Sequence, residues 1–80
     1  MTLKILFFAQ SSDWMGRHEM ELPLRSPVAL SDLIRNQSEL APILKRQKLL
    51  KVAVNEEFAD FSSEVKDGDE VAFLPPVSGG

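Results

Sequence analysis

The residues of this chain best placed to do chemistry are its last ones. Ser78-Gly79-Gly80 end the 80-residue sequence on a glycine α-carboxylate. Gly79 and Gly80 carry no side chains, so a partner's backbone and a nucleotide can come close to the terminal carbon. A carboxylate is a poor acyl donor until it is activated. The activation expected here is a mixed anhydride with AMP, made by a separate ATP-using enzyme. An amine would then take the acyl group to give a conjugate, whereas a sulfide or persulfide would leave a terminal thiocarboxylate on Gly80. Pro75 and Pro76 fix their own φ and bias the residues before them to extended shapes, which lowers the entropy lost when a tail enters a pocket. From Pro75 to Gly80, through Val77, such a tail reaches about 20 Å. The plainer reading, an end with no function, stays open at this point.

Other candidates carry less. His18 is the single histidine, and its polar surroundings make a solvated side chain the expected state. Asp67-Gly68-Asp69-Glu70 groups three carboxylates, but it lacks the length and the later glutamate of a calcium loop and reads as a hairpin turn. Trp14 and Met15 are expected to form a lid over one edge of the core, with a contact patch as the alternative. There is no metal site, no glycine-rich phosphate loop and no nucleophile elbow, so no autonomous catalytic site is expected. With no cysteine, disulfides, thiolate metal sites and cysteine nucleophiles are excluded. The net charge is −3 and the basic residues are scattered, which argues against nucleic acid as a partner. No apolar run is long enough for a bilayer and the first residues lack a signal-peptide pattern. The expectation is a cytoplasmic protein with no membrane partner.

The elements that must position the tail follow from hydrophobic periodicity. Leu3 to Ala9 reads as a strand with Leu3, Ile5 and Phe7 on one face and Lys4, Leu6 and Phe8 on the other. Gln10 to Gly16 breaks that run, with Gly16 a turn or helix end. Met20, Leu22 and Leu24 alternate with Glu19, Glu21 and Pro23, a half-buried strand that makes an antiparallel hairpin with the first. Leu30, Leu33 and Ile34 fall on one face of a helix covered on its other side by Asp32, Arg35 and Asn36. A weaker helical stretch holds Leu40, Ile43 and Leu44, with Ser38 as its cap and Pro42 in its first turn. Leu49 to Asn55 returns to strand chemistry. Asn55-Glu56-Glu57 is turn-like and leads to a short strand near Phe58 to Phe61. Asp67-Gly68-Asp69 is a turn, and Glu70 to Leu74 is the last strand. Hairpin, main helix, short helix, then strands is the order of an α+β domain of the β-grasp, or ubiquitin-like, type, with a mixed sheet covered on one face by its main helix. The expected division is a domain over residues 1–74 and a flexible, extended C-terminal tail over 75–80.

One helix covers one face of such a sheet. Leu3, Ile5, Phe7, Leu50, Val52, Val54, Val71 and Phe73 supply that covered core, so the opposite face should be polar. It is not: Leu6, Phe8, Ala72 and Leu74 belong there, with Phe58 a further candidate. Apolar patches of this kind usually mark a partner surface, and this one would lie at the root of the tail and aim it. The competing reading packs Leu6 and Phe8 under a loop, or slips the face assignment by one residue.

The chain also resembles a known family. Leu6-Phe7-Phe8-Ala9-Gln10, then Lys48-Leu49-Leu50 with Val54-Asn55, and above all the run from Asp67 to Gly80 with its Phe73-Leu74-Pro75-Pro76-Val77-Ser78-Gly79-Gly80 ending, are similar to the small, sulfur-carrying subunits of molybdopterin synthase. The resemblance spans nearly the whole chain and is weakest between Ser11 and Gln47. It implies that Gly80 is adenylated by a ubiquitin-activating-like adenylyltransferase, with ATP consumed by that enzyme and no cofactor held permanently by the chain. A sulfur donor enzyme would then supply the thiocarboxylate. The loaded tail, Pro75, Pro76, Val77, Ser78 and Gly79 leading to Gly80, would enter the large subunit of an assembly of two small and two large subunits. There it would give sulfur to cyclic pyranopterin monophosphate. The resemblance also implies that Phe8, Phe58 and Leu74 contact both partners. Thiamine or tRNA thiolation, and ubiquitin-like protein modification, are the alternatives. Many family members carry a basic-acidic pair and a leucine where this chain has Ser12, Asp13 and Trp14, so any salt bridge made by that basic residue should be missing or replaced here.

Overall fold

Alternation decides the first strand, β1 (Leu3–Phe7), in which Leu3, Ile5 and Phe7 are buried while Lys4 and Leu6 are half-buried. The computed structural model describes residues 2–75. After β1 come α1 (Gln10–Met15), β2 (Glu19–Leu22), β3 (Val28–Ala29), α2 (Leu30–Asn36), α3 (Ala41–Lys45), β4 (Lys51–Val54), β5 (Glu57–Ala59), β6 (Glu64–Val65) and β7 (Glu70–Leu74). Single 3-10 turns at Ser38–Leu40 and Gln47–Leu49 flank α3. The main sheet runs in the order β2-β1-β7-β4-β5. Its β1–β7 pairing is parallel and its other pairings are antiparallel. A two-stranded ribbon joins β3 to β6. This is the expected β-grasp: a mixed sheet with helices packed on one face.

The covered face is built from the residues that periodicity assigns to it. Leu30, Leu33 and Ile34 of α2 are buried against Leu3, Ile5, Phe7, Leu50, Val52, Val71 and Phe73, with Val54 half-buried beside them. Phe73 is wholly enclosed at the centre, stacked between Phe7 and Phe61 with ring centroids 6.0 and 6.5 Å away. Offset aromatic pairs at such separations add to their area burial, and here they anchor β7, the strand that leads to Pro75.

The β3–β6 ribbon is not among the expected strands, and four further details differ from the reading of the sequence. Gln10 to Met15 is a helix, α1, so the β1–β2 hairpin is closed by a helical connection. Its inward positions are Ser11, Trp14 and Met15, an i, i+3, i+4 set whose first member is polar, and that hides the apolar stripe. Leu44 is 41% exposed and does not share the buried face of Leu40 and Ile43. The 3-10 turn before α3 breaks the helical phase between them. Ser38 is not a cap: it is the first residue of that turn, whose cap position is Gln37, without a side-chain cap hydrogen bond, and α3 itself is preceded by Leu40. The strands are also shorter: β4 starts at Lys51, leaving Leu49 in a 3-10 turn, and β5 ends at Ala59, before Phe61. Among the described residues no helix is long and apolar enough to cross a membrane.

Candidate docking face and the root of the tail

Register determines what the uncovered face of the sheet presents. Leu6 pairs with Ala72 on β7, Ala72 with Ala53 on β4, and Ala53 with Phe58 on β5. These four side chains therefore form one row straight across four strands, about 14 Å long at the usual strand spacing. Leu74 pairs with Lys51 in the next row toward the tail, and Phe8 lies beside it, its N–H donating to the Phe73 carbonyl at 3.3 Å. The row on the other side is charged: Lys4 pairs with Glu21 and with Glu70. Lys4 also reaches Glu19 at 3.4 Å, an exposed ion pair of little energetic weight. Glu19 ends the Leu6 row on β2 and Lys51 stands in the Leu74 row, so the two rows toward the tail are mainly apolar and the row away from it is charged throughout its Lys4 pairings.

Leu6, Ala72 and Leu74 are half-buried, whereas Phe8 is 46% and Phe58 78% exposed. Neither Leu6 nor Phe8 disappears under a loop. Ala53 and Lys51 complete the face without having been singled out by composition or motif, although the alternation of β4 puts both opposite Val52. A small apolar residue on a supposedly polar face is the signal that points to Ala53.

The point at which β7 gives way to Pro75, the last residue described, is held by hydrogen bonds. Ser11, fully buried, donates its hydroxyl to the carbonyls of Phe8 at 2.5 Å and Phe73 at 3.3 Å. The N-terminal turn of α1 thereby ties the ends of β1 and β7 together, and no feature of the sequence foretells it. Pro75 is half-buried. Pro76, Val77, Ser78, Gly79 and Gly80, the rest of the expected tail, lie outside the described residues. Around α1, Ser12 donates to the Ala9 carbonyl at 2.7 Å and Asp13 is exposed. Trp14 lies half-buried under the Arg46 guanidinium, 4.8 Å from its ring centroid, which is the core-edge lid expected of it.

At the far end of β7, Asp69 is buried and satisfied. It accepts from the Asn55 side-chain amide at 3.0 Å, from the Lys66 N–H at 3.0 Å and from the Lys66 ammonium at 3.2 Å. The Asn55 bond, more than the Lys66 contacts, holds its carboxyl below the ordinary aspartate value, since each stabilises the charged form. This turn is structural. Among the described residues no cluster of three or more His, Cys, Asp or Glu could hold a metal. His18 is exposed on the β2 side, where its carbonyl accepts the Phe7 N–H at 2.8 Å.

A β-grasp domain whose open sheet face is apolar next to its C-terminal strand belongs to the ubiquitin-like class of small proteins. The ThiS family model matches residues 5–80, and the chain belongs to that family. Within it, the chain is 38% identical over 80 residues to the molybdopterin synthase sulfur carrier subunit of Escherichia coli, a match covering 98% of this chain and 99% of that one. Among solved structures, a molybdopterin converting factor subunit 1 described as putative, from Pyrococcus furiosus, superposes with a TM-score of 0.74 at 26% identity, over 96% of this chain and 99% of that chain. A chain in the protein–protein complex of subunits 1 and 2 of molybdopterin-converting factor from Helicobacter pylori superposes with a TM-score of 0.68 at 23% identity, over the whole of both chains.

Proposed function

We propose that this chain is the sulfur carrier of a molybdopterin synthase and that Gly80 is its working residue. The Gly80 carboxylate attacks the α-phosphorus of ATP in a separate activating enzyme, releasing pyrophosphate and leaving an acyl-adenylate. A sulfur nucleophile from a donor enzyme then displaces AMP: hydrosulfide leaves the thiocarboxylate directly, whereas an enzyme persulfide leaves an acyl disulfide, from which a second thiol releases the thiocarboxylate by forming a disulfide with the donor. The loaded carrier docks on the large synthase subunit through the row Leu6, Ala72, Ala53 and Phe58, with Phe8 and Leu74 beside it. Its tail then gives sulfur to cyclic pyranopterin monophosphate, in an assembly of two carriers and two large subunits. The observation that carries this reading is the place of the apolar rows: they border the strand from which the tail departs, in a member of a sulfur-carrier family. Docking on that face would point the tail into the same partner, and the chemistry would be the partner's.

Intact-mass spectrometry of the chain incubated with activating enzyme, ATP and a sulfur donor tests this. The expected product is heavier by the exchange of one oxygen for one sulfur, and a chain lacking Gly80 stays unchanged. The loaded form, mixed with the large subunit and cyclic pyranopterin monophosphate, should yield molybdopterin. Ladders of larger conjugates would instead identify a protein modifier, and a loaded chain inert toward the pterin would point to thiamine or tRNA thiolation.

A further inference from the structure

The exposed apolar surface does not stop at the sheet. Leu50 and Phe61 floor an open groove of about 690 Å³ on the helix side of the molecule, with Leu44 on its wall. The same two residues line a second hollow that reaches around the edge of the sheet to Ala59 and Phe58. Phe58 is the most exposed large apolar side chain among the described residues, and it therefore belongs both to the sheet row and to this trough. The edge being crossed is β5, the last strand of the sheet, whose outer backbone groups are open to an extended segment.

The rim of the trough is cationic. Lys45 and Lys48 border the groove and Lys51 the hollow. Among the described residues none of the three has a carboxylate partner. Asp60 also lines the hollow, held ionised by the backbone N–H of Ser62 and by the Ser62 and Ser63 hydroxyls, so three cationic groups stand against one carboxylate and the lining is positive on balance. A positive rim around an apolar floor, in a protein of net charge −3, selects a partner segment that is both acidic and apolar.

We infer that the large-subunit partner does not end its contact at the sheet face: one of its segments, bearing carboxylates and at least one leucine-type side chain, crosses β5 and seats in this trough. The inference rests on the docking proposed above. Continuity argues for the same partner, because a protein that covers Phe58 already stands at the mouth of the trough. The apolar residue enters between Leu44 and Phe61, and the carboxylates meet Lys45, Lys48 and Lys51.

Calorimetric titration of the purified large subunit with the full chain, at low and high salt, tests the idea. Lys45→Glu/Lys48→Glu should weaken binding about tenfold at low salt, with much of the loss disappearing at high salt, where exposed charges are screened. Leu44→Ser should weaken binding about as much at both salt levels, since its contribution is apolar burial. Lys45 and Lys48 are exposed, so the melting temperature of the charge variant should stay near that of the parent, and Lys45→Gln/Lys48→Gln gives a neutral version should it fail to fold. Leu44 is only 41% exposed, so Leu44→Ser should melt several degrees lower, and its binding is compared with the parent's at a temperature where both are folded. If these variants bind like the parent while Phe58→Ala binds weakly, the trough is overturned and the sheet-face docking stands. If Phe58→Ala also binds like the parent, the docking itself is wrong and the trough falls with it. Dimerisation of the chain alone, abolished by Leu44→Ser, would assign the trough to a second copy and also overturn the inference.

Discussion

Phe58→Ala separates docking from folding more sharply than any other change in this molecule. A phenylalanine side chain presents about 200 Å², and Phe58 is 78% exposed. The remaining fifth, about 45 Å², contributes about 1 kcal/mol to the fold at 25 cal/mol per Å². The exposed portion, about 155 Å², would yield about 4 kcal/mol if a partner covered it completely. Ordering and desolvation costs reduce such figures, and aromatic anchors near the centre of an interface commonly return about 2 kcal/mol or more on truncation. The expected result is therefore an affinity for the large subunit at least about 30-fold weaker. The melting temperature should fall by only about 4–8 °C, the shift that 1 kcal/mol produces in a domain of this size. Titration calorimetry gives the first number and thermal denaturation the second. A loss of about 3 kcal/mol of stability with unchanged affinity would refute the reasoning, because it would place Phe58 in the core and leave the sheet face without a docking role.

Two further outcomes follow from the turns. Asn55 and Glu56 both adopt positive φ, 52° and 69°, in the two-residue connection between β4 and β5, a geometry that favours glycine at the second position. Glu56→Gly should remove about 1 kcal/mol of left-handed strain against a smaller entropic cost in the unfolded chain. A net gain of about 0.5 kcal/mol in urea denaturation is expected, and a loss would contradict the turn assignment. Asp69 has a carboxyl held below its ordinary value in the fold. Its stabilising contribution is therefore fully present above the unfolded aspartate value near 3.9 and is lost as pH falls through the lower folded value. Asp69→Asn should lower stability at neutral pH and flatten the part of the acid-denaturation curve below about pH 4. An unchanged acid limb would mean that other carboxylates set it.

Elements with a strong local period are legible in the order of residues alone. Leu30, Leu33 and Ile34 announce α2, and the alternations of β1, β4 and β7 put the correct side chains in the core. What escapes is any element whose signal is not apolar. The inward face of α1 begins with Ser11, which is acceptable there because two carbonyls accept its hydroxyl, at 2.5 and 3.3 Å; a polar residue satisfied this way is invisible to hydropathy. Leu44 escapes for the opposite reason, since it continues an apolar pattern that the preceding 3-10 turn has already put out of phase. Of the docking face, Leu6, Phe8, Ala72 and Leu74 can be named from alternation, and so can Ala53 and Lys51; what needs the folded sheet is that Ala53 stands between Ala72 and Phe58 and Lys51 beside Leu74.

That the strands carry two apolar faces, where one helix-covered core needs one, is written in the chain locally, because side-chain direction along a strand repeats every two residues. That Leu6, Ala72, Ala53 and Phe58 stand in a single row is a product of the folded sheet. Those positions are scattered along the chain, and their alignment depends on which strands pair and in what register. Pairing is set by backbone hydrogen bonds across the sheet and by the burial of the opposite face, neither of which is local. The trough beyond β5 is more non-local still: it exists because α3 and the turn after it share a groove with Leu50 and Phe61, which also line the hollow at β5, leaving Leu44 partly exposed.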